Sequence, residues 1–186
     1  MKDALRNLSI TITTPIELIS ASLQMSNGNW WFRGQGDESW SLESTLKRSS
    51  TDFNVPDEAI REREKVIYNL FSERMHLFDA TLRHEELNEF EIHALIRHYG
   101  GPSRLLDVTS SILIAAHFAI HDSPKDKDAV IWAFNFNETV EKGWQGSFLN
   151  DSKTYHQVFL AKPKRLNERI NAQNGAFLFS NCLDTL

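Results

Sequence analysis

Cysteine is almost missing from this 186-residue chain, in which Cys182 stands alone. A single thiol cannot close an internal disulfide, and no base is visible beside it, so neither a disulfide scaffold nor thiol catalysis is supported. Long apolar runs are missing too. No stretch of about 18 apolar residues offers a membrane span, and no charged-then-apolar leader opens the chain. Positive charge is in the minority, with 20 Lys and Arg against 25 Asp and Glu for a formal charge of −5. That balance argues against a surface that coats nucleic acid, while leaving room for a local basic pocket. Neither a Walker-type nor a dinucleotide-type glycine loop occurs, which argues against nucleotide hydrolysis of those kinds. His117 and His121 lie four apart on an expected helix, yet lack an intervening hydrolytic Glu or a cysteine pair, and no metal is expected. Repeats and low-complexity tracts are absent as well. These absences predict a soluble protein of a reducing compartment, the cytoplasm, with no membrane and no disulfide.

What the chain does have is enough apolar residues, 41%, for one globular domain over residues 1–186, with a core at about 30–179. Residues 1–29 read as an N-terminal strand, Ile10 to Thr13, and a helix opening at Pro15. The aromatic run from Trp30 to Gly34 reads as a strand, and the polar stretch from Ser49 to Asn54 as a surface loop. From 57 to about 83, Ile60, Ile67, Phe71, Met75, Phe78 and Leu82 recur at helical steps, predicting one long helix with a buried stripe. Its run of Glu and Arg from Glu58 to Lys65 reads as a solvated face. A second helix spans about 87–99 and stops at Gly100-Gly101-Pro102, and a third spans about 112–121. Strands are expected at 128–136, near 157–160 and at 176–179, with a helix over 165–172. The class is α+β: a mixed or split central β-sheet flanked by helices.

Two segments concentrate polar chemistry. At the end of the first long strand stands Arg33, whose five fixed donors match two phosphate oxygens, next to Gly34, where a ligand can approach the backbone. Its plain alternative is a pairing with a nearby carboxylate. Between the second and third helices, His98, Tyr99, Arg104, Asp107, Thr109 and Ser110 crowd one connection. Arg104 and Asp107 are three apart and read best as partners bracing the loop. His98 suits a helix end, or a hydrogen bond to a ribose. Thr109 and Ser110 suit a cap, or an anion gathered at a helix start.

At these residues the chain resembles the FRG domain family, named for its Phe-Arg-Gly motif. The resemblance rests on Phe32-Arg33-Gly34-Gln35, Trp40-Ser41-Leu42, Leu46-Lys47-Arg48, His98-Tyr99-Gly100, the run from Pro102 to Ser110, Ala116-His117-Phe118-Ala119, Arg169 with Ala172-Gln173, and Gly175-Ala176-Phe177. That family in turn looks distantly similar to ADP-ribosyltransferases of the arginine, Ser-Thr-Ser, glutamate type. The resemblance implies NAD as a small anionic ligand, with Arg33, Gly34, Gln35, Tyr99, Arg104 and Thr109 as its binding residues. It implies Gln173, His98 and Ser110 as the catalytic set, with Arg33 open in a pocket shared with the Ser110 hydroxyl. Gln173 stands where a catalytic glutamate is sought, and Glu138, Glu141 and Glu168 are the nearest carboxylates in sequence. An amide hydrogen-bonds a ribose but cannot stabilise an oxocarbenium ion by charge. The functional expectation is therefore an ADP-ribosyltransferase-like or NAD-cleaving enzyme acting on an unassigned acceptor. Its alternatives are a non-catalytic module that recognises a nucleotide, nucleic acid or phosphoprotein, and a purely architectural salt-bridge lattice.

Overall fold

Thr13 and Thr14 show why the chain begins as it does. Both backbone N–H groups donate to the Glu17 carboxylate, at 2.7 and 3.0 Å, and the Thr14 hydroxyl accepts from the Glu17 N–H. This capping box, with Pro15 behind it, starts helix α1, Pro15–Gln24. The expected strand at Ile10 to Thr13 does not form. Its last residue is committed to the helix cap, and Ile10 lies 66% exposed with no ladder partner.

The structure is a computed structural model that describes residues 9–51, 55–82, 87–121, 123–136, 158–164 and 168–180. Strand β1 spans Trp30–Gln35, helix α2 Thr45–Thr51 and helix α3 Asp57–Arg74, followed by a 3-10 turn over Met75–Leu77. Helix α4 spans Glu89–His98, β2 Leu106–Thr109, α5 Ile112–His121 and β3 Val130–Asn135. Strand β4 spans Val158–Ala161, α6 Glu168–Ala172 and β5 Gly175–Ser180. The five strands make one sheet in the order β3-β1-β2-β5-β4, every pair antiparallel. The expected α+β class is thus the one observed. Among the described residues its sheet is single and antiparallel rather than mixed or split, because no helix links two neighbouring parallel strands. No helix of the described residues is long and apolar enough to cross a membrane.

Strand pairing assigns the two faces. Phe32 pairs with Thr109, and Asp107 with Phe177, so these side chains share one face with Phe179 and Phe159. Helices α1 and α5 cover that face at one end, around Ala21, Phe32, Ile112 and Ala115; Phe90 and Ala94 of α4 cover it at the other. The opposite face carries Trp31, Leu106, Val108, Leu160 and Leu178 as a separate core. At β1 the helix and sheet backbones nearly touch: a Cβ on Gly34 would lie 1.9 Å from the Ala115 carbonyl oxygen and 2.7 Å from the Ala119 nitrogen. Glycine is required there for packing, and Ala115 and Ala119 complete the close approach.

Helices α2 and α3 join through Leu46 and Ile60. The region read as a loop from Ser49 thus begins as helix, its Ser49 and Ser50 hydroxyls both donating to the Leu46 carbonyl. Helix α3 is shorter than its apolar spacing predicts, ending at Arg74, and Phe78 consequently leaves the buried stripe. Nor is its charged run all solvated. Glu62 and Lys65 form an exposed pair, but Glu64 is buried.

Candidate functional site

A helix ending creates the site. Gly100 adopts φ +82°, its N–H bonds to the Arg97 carbonyl at 3.2 Å, and Gly101 N–H bonds to the Ile96 carbonyl at 2.8 Å. This Schellman turn needs glycine at its left-handed position and stops α4 with Arg97, His98 and Tyr99 in its last turn. Opposite them, α6 ends in a second left-handed residue, Asn174 at φ 46°, which presents Gln173. Between the two helix ends, over β2 and β5, lies a pocket of about 140 Å³ lined by Arg97, His98, Asp107, Ile170, Gln173 and Phe177, with Gly100 at its edge.

Its electrostatics centre on Asp107. Arg97 donates to the Asp107 Oδ2 from Nε at 3.0 Å and from Nη2 at 2.5 Å. Arg33 Nη1 donates to the Asp107 backbone carbonyl at 2.8 Å. A third guanidinium, Arg48, donates to the Glu43 carbonyl; burial and then the repulsion of Arg97 lower its pKa, while Glu43 and Asp107 act the other way. Two arginine cations, Arg97 in contact and Arg48 at longer range, therefore act on one pocket carboxylate in a chain that is acidic overall, while Arg33 holds the backbone of the same residue.

The expected site residues divide sharply against this geometry. His98 and Gln173 come together in the pocket, whereas Ser110 is not among the residues lining it. Ser110 is exposed and tied to Asn174, its N–H donating to the Asn174 carbonyl at 3.1 Å. Thr109 is buried, donates to the Gln173 carbonyl at 2.6 Å and accepts from the Ser111 N–H, so its hydroxyl braces the two ends of the site. Arg33 is half-buried, its strand register puts it on the face opposite the Asp107 side chain, and it is not among the residues lining this pocket. The backbone of Gly34 is met closely by α5. Gln35 is buried, donating to the Ser41 carbonyl at 3.3 Å and accepting from the Trp132 indole N–H.

Arg104 does not pair with Asp107. Its guanidinium, 3% exposed, makes a two-pronged ion pair with Glu64, 2% exposed, and also donates to the Ser180 carbonyl at 3.3 Å. The spacing of three was misleading because Arg104 precedes the strand and turns into the helical layer, where a carboxylate 40 positions earlier awaits it. Tyr99 stands at the rim, 39% exposed, its ring 4.9 Å from that of His98. Arg97 was not singled out by sequence reasoning, although a basic residue in a last helical turn next to His98 was a usable signal. His117 and His121 stack at 5.7 Å on the exposed side of α5, and among the described residues no group of three or more His, Cys, Asp or Glu is placed to hold a metal. Glu138, Glu141, Cys182, the start of the strand expected at 157 and the side chains of Glu168 and Arg169 lie outside the described residues.

The family model of the FRG domain matches residues 28–128, more than half of the chain. No curated protein and no solved structure matches.

Proposed function

Because the chain belongs to the FRG domain family, we propose that it is a recognition module that takes the phosphate end of a nucleotide, of the NAD or ADP-ribose class, at the Asp107 pocket. One observation carries this reading: Arg97 and His98 converge with Gln173 on that pocket, while Arg48 adds positive charge near its Asp107 carboxylate. Guanidinium groups bind phosphate oxygens in pairs, and an anion among crowded arginines relieves their repulsion. A pocket of about 140 Å³ is less than half the roughly 300 Å³ at which drug-sized sites begin. It therefore suits one phosphate or sugar, with the remainder of the ligand outside. The arginine-glycine element of an NAD-cleaving site, Arg33-Gly34, is a poor fit to this pocket, since Gly34 packs against α5 and Arg33 lies on the face opposite the Asp107 side chain.

Calorimetric titration of the whole chain with inorganic phosphate, ADP-ribose and NAD tests the proposal. Arg48→Ala and Arg97→Gln should each weaken ADP-ribose binding about tenfold, the effect of losing one charge-assisted hydrogen bond. Failure of every phosphate-bearing compound to bind rejects it. A second reading, cleavage of NAD, is favoured by His98 and Gln173 lining one pocket with the Asp107 carboxylate. Release of nicotinamide that is lost in Gln173→Ala and raised in Gln173→Glu would establish it; tight binding with no nicotinamide released would exclude it.

A further inference from the structure

Beside the pocket lies a cluster of aromatic rings that the phosphate reading does not use. Phe71 from the end of α3 stacks on Phe78 at 5.3 Å with a 27° interplanar angle, and Phe78 meets Tyr99 at 4.9 Å. Tyr99 in turn contacts the ring of His98, which lines the pocket. The rings are not core. Phe78 is 54% exposed, and Leu77 beside it in the chain and Leu70 in α3 are exposed as well. This exposure is built by the chain's own geometry: α3 stops at Arg74, the 3-10 turn swings Phe78 off the buried stripe, and the Gly100 turn holds Tyr99 immediately before the pocket edge.

We propose that Phe78 and Tyr99 form a stacking platform for the base of the nucleotide whose phosphate enters the Asp107 pocket, so that base and phosphate are read together. The inference rests on the phosphate reading and names its ligand more closely. Aromatic faces exposed next to concentrated arginine cations are the two halves of nucleotide recognition, the neutral ring taking the base and the cations taking the charge. His98, shared by pocket and platform, occupies the span that a ribose must bridge. A free nucleotide and the 5′-phosphate end of a nucleic acid share this chemistry.

The test is calorimetry on the whole chain with inorganic phosphate, ribose 5-phosphate, AMP and a 5′-phosphorylated oligonucleotide. AMP and ribose 5-phosphate differ in the base, and AMP should bind roughly 5- to 150-fold more tightly. Phe78→Ala and Phe78→Leu should both erase that advantage and leave ribose 5-phosphate affinity unchanged, whereas Phe78→Trp should keep it. Leucine preserves apolar cover without a π face, and Phe78 is exposed enough for each variant to fold, which a circular dichroism melt verifies. Equal affinity for AMP and ribose 5-phosphate, or equal weakening of both by Phe78→Ala, overturns the platform while leaving the phosphate site standing. AMP binding that depends on Phe78 but is indifferent to Arg48→Ala and Arg97→Gln keeps the platform and rejects the phosphate site; no binding by any probe rejects both. With the same Phe78 dependence, an oligonucleotide that outbinds AMP assigns the source to a nucleic-acid end, and one that does not assigns it to a free nucleotide.

Discussion

Adding one methyl group at Gly34 should unseat a helix. An alanine Cβ there would stand 1.9 Å from the Ala115 oxygen, 2.7 Å from the Ala119 nitrogen and 2.9 Å from the Ala115 carbonyl carbon. All three are backbone atoms, so no rotamer change relieves the clash. To reach even the 3.0 Å that real Cβ contacts respect, α5 must retreat by about 1.1 Å, the difference from 1.9 Å. Ile112 and Ala115 of that helix pack on Phe32 and Ala21, and a gap of roughly 1 Å forfeits a quarter to a half of each dispersion contact. Overpacking costs about 1–3 kcal/mol where side chains yield, so a backbone clash should cost about 3 kcal/mol or more. Against a domain stability of roughly 5–15 kcal/mol, that is a large share. At about 2–4 °C per kcal/mol for a chain of this size, Tm should fall by roughly 6–12 °C, read by circular dichroism and checked by the urea midpoint. A Gly34→Ala protein melting within about 2 °C of the parent would refute the packing argument. If it also failed to bind ADP-ribose, the glycine would instead be serving ligand approach.

The buried pair of Glu64 and Arg104 should show strong asymmetry. Glu64→Ala leaves a guanidinium buried without its counter-charge and should cost about 3–5 kcal/mol in urea unfolding, whereas Glu64→Leu combined with Arg104→Met should recover most of it; additive losses would show that the two groups act independently. His93 lies in the same layer, and burial, then the Arg104 cation, push its pKa down to about 3. An unfolded chain protonates this histidine near 6.5, so between the two values the unfolded state binds the extra proton and stability rises with pH. The contribution is whole above pH 6.5 and drains away at about 1.4 kcal/mol per pH unit as pH falls toward 3. Urea midpoints at pH 7 and pH 5 should therefore differ by less in His93→Leu than in the parent; parallel pH profiles would show that His93 is not held neutral.

Much of the local structure was legible because its causes are local. The bounds of α5, the aromatic strand β1, the stop at Gly100 and the resemblance to the FRG domain all rest on spacing, caps and turn residues acting over a few positions. Even the convergence of His98 and Gln173 had a trace in the motif order, although not in any distance between them. What folding alone decided is who meets whom. Gly34 answers to a carbonyl on α5, Arg104 to Glu64 rather than to Asp107, and Asp107 to Arg97. Phe78, placed on a buried stripe by its spacing, is turned outward because the helix ends at Arg74, four residues before it. Periodicity reports the face a residue presents only while its element continues, and charge reports that a partner is needed without saying which. Those identities are set when distant segments pack, a process in which desolvation excludes every unpaired alternative.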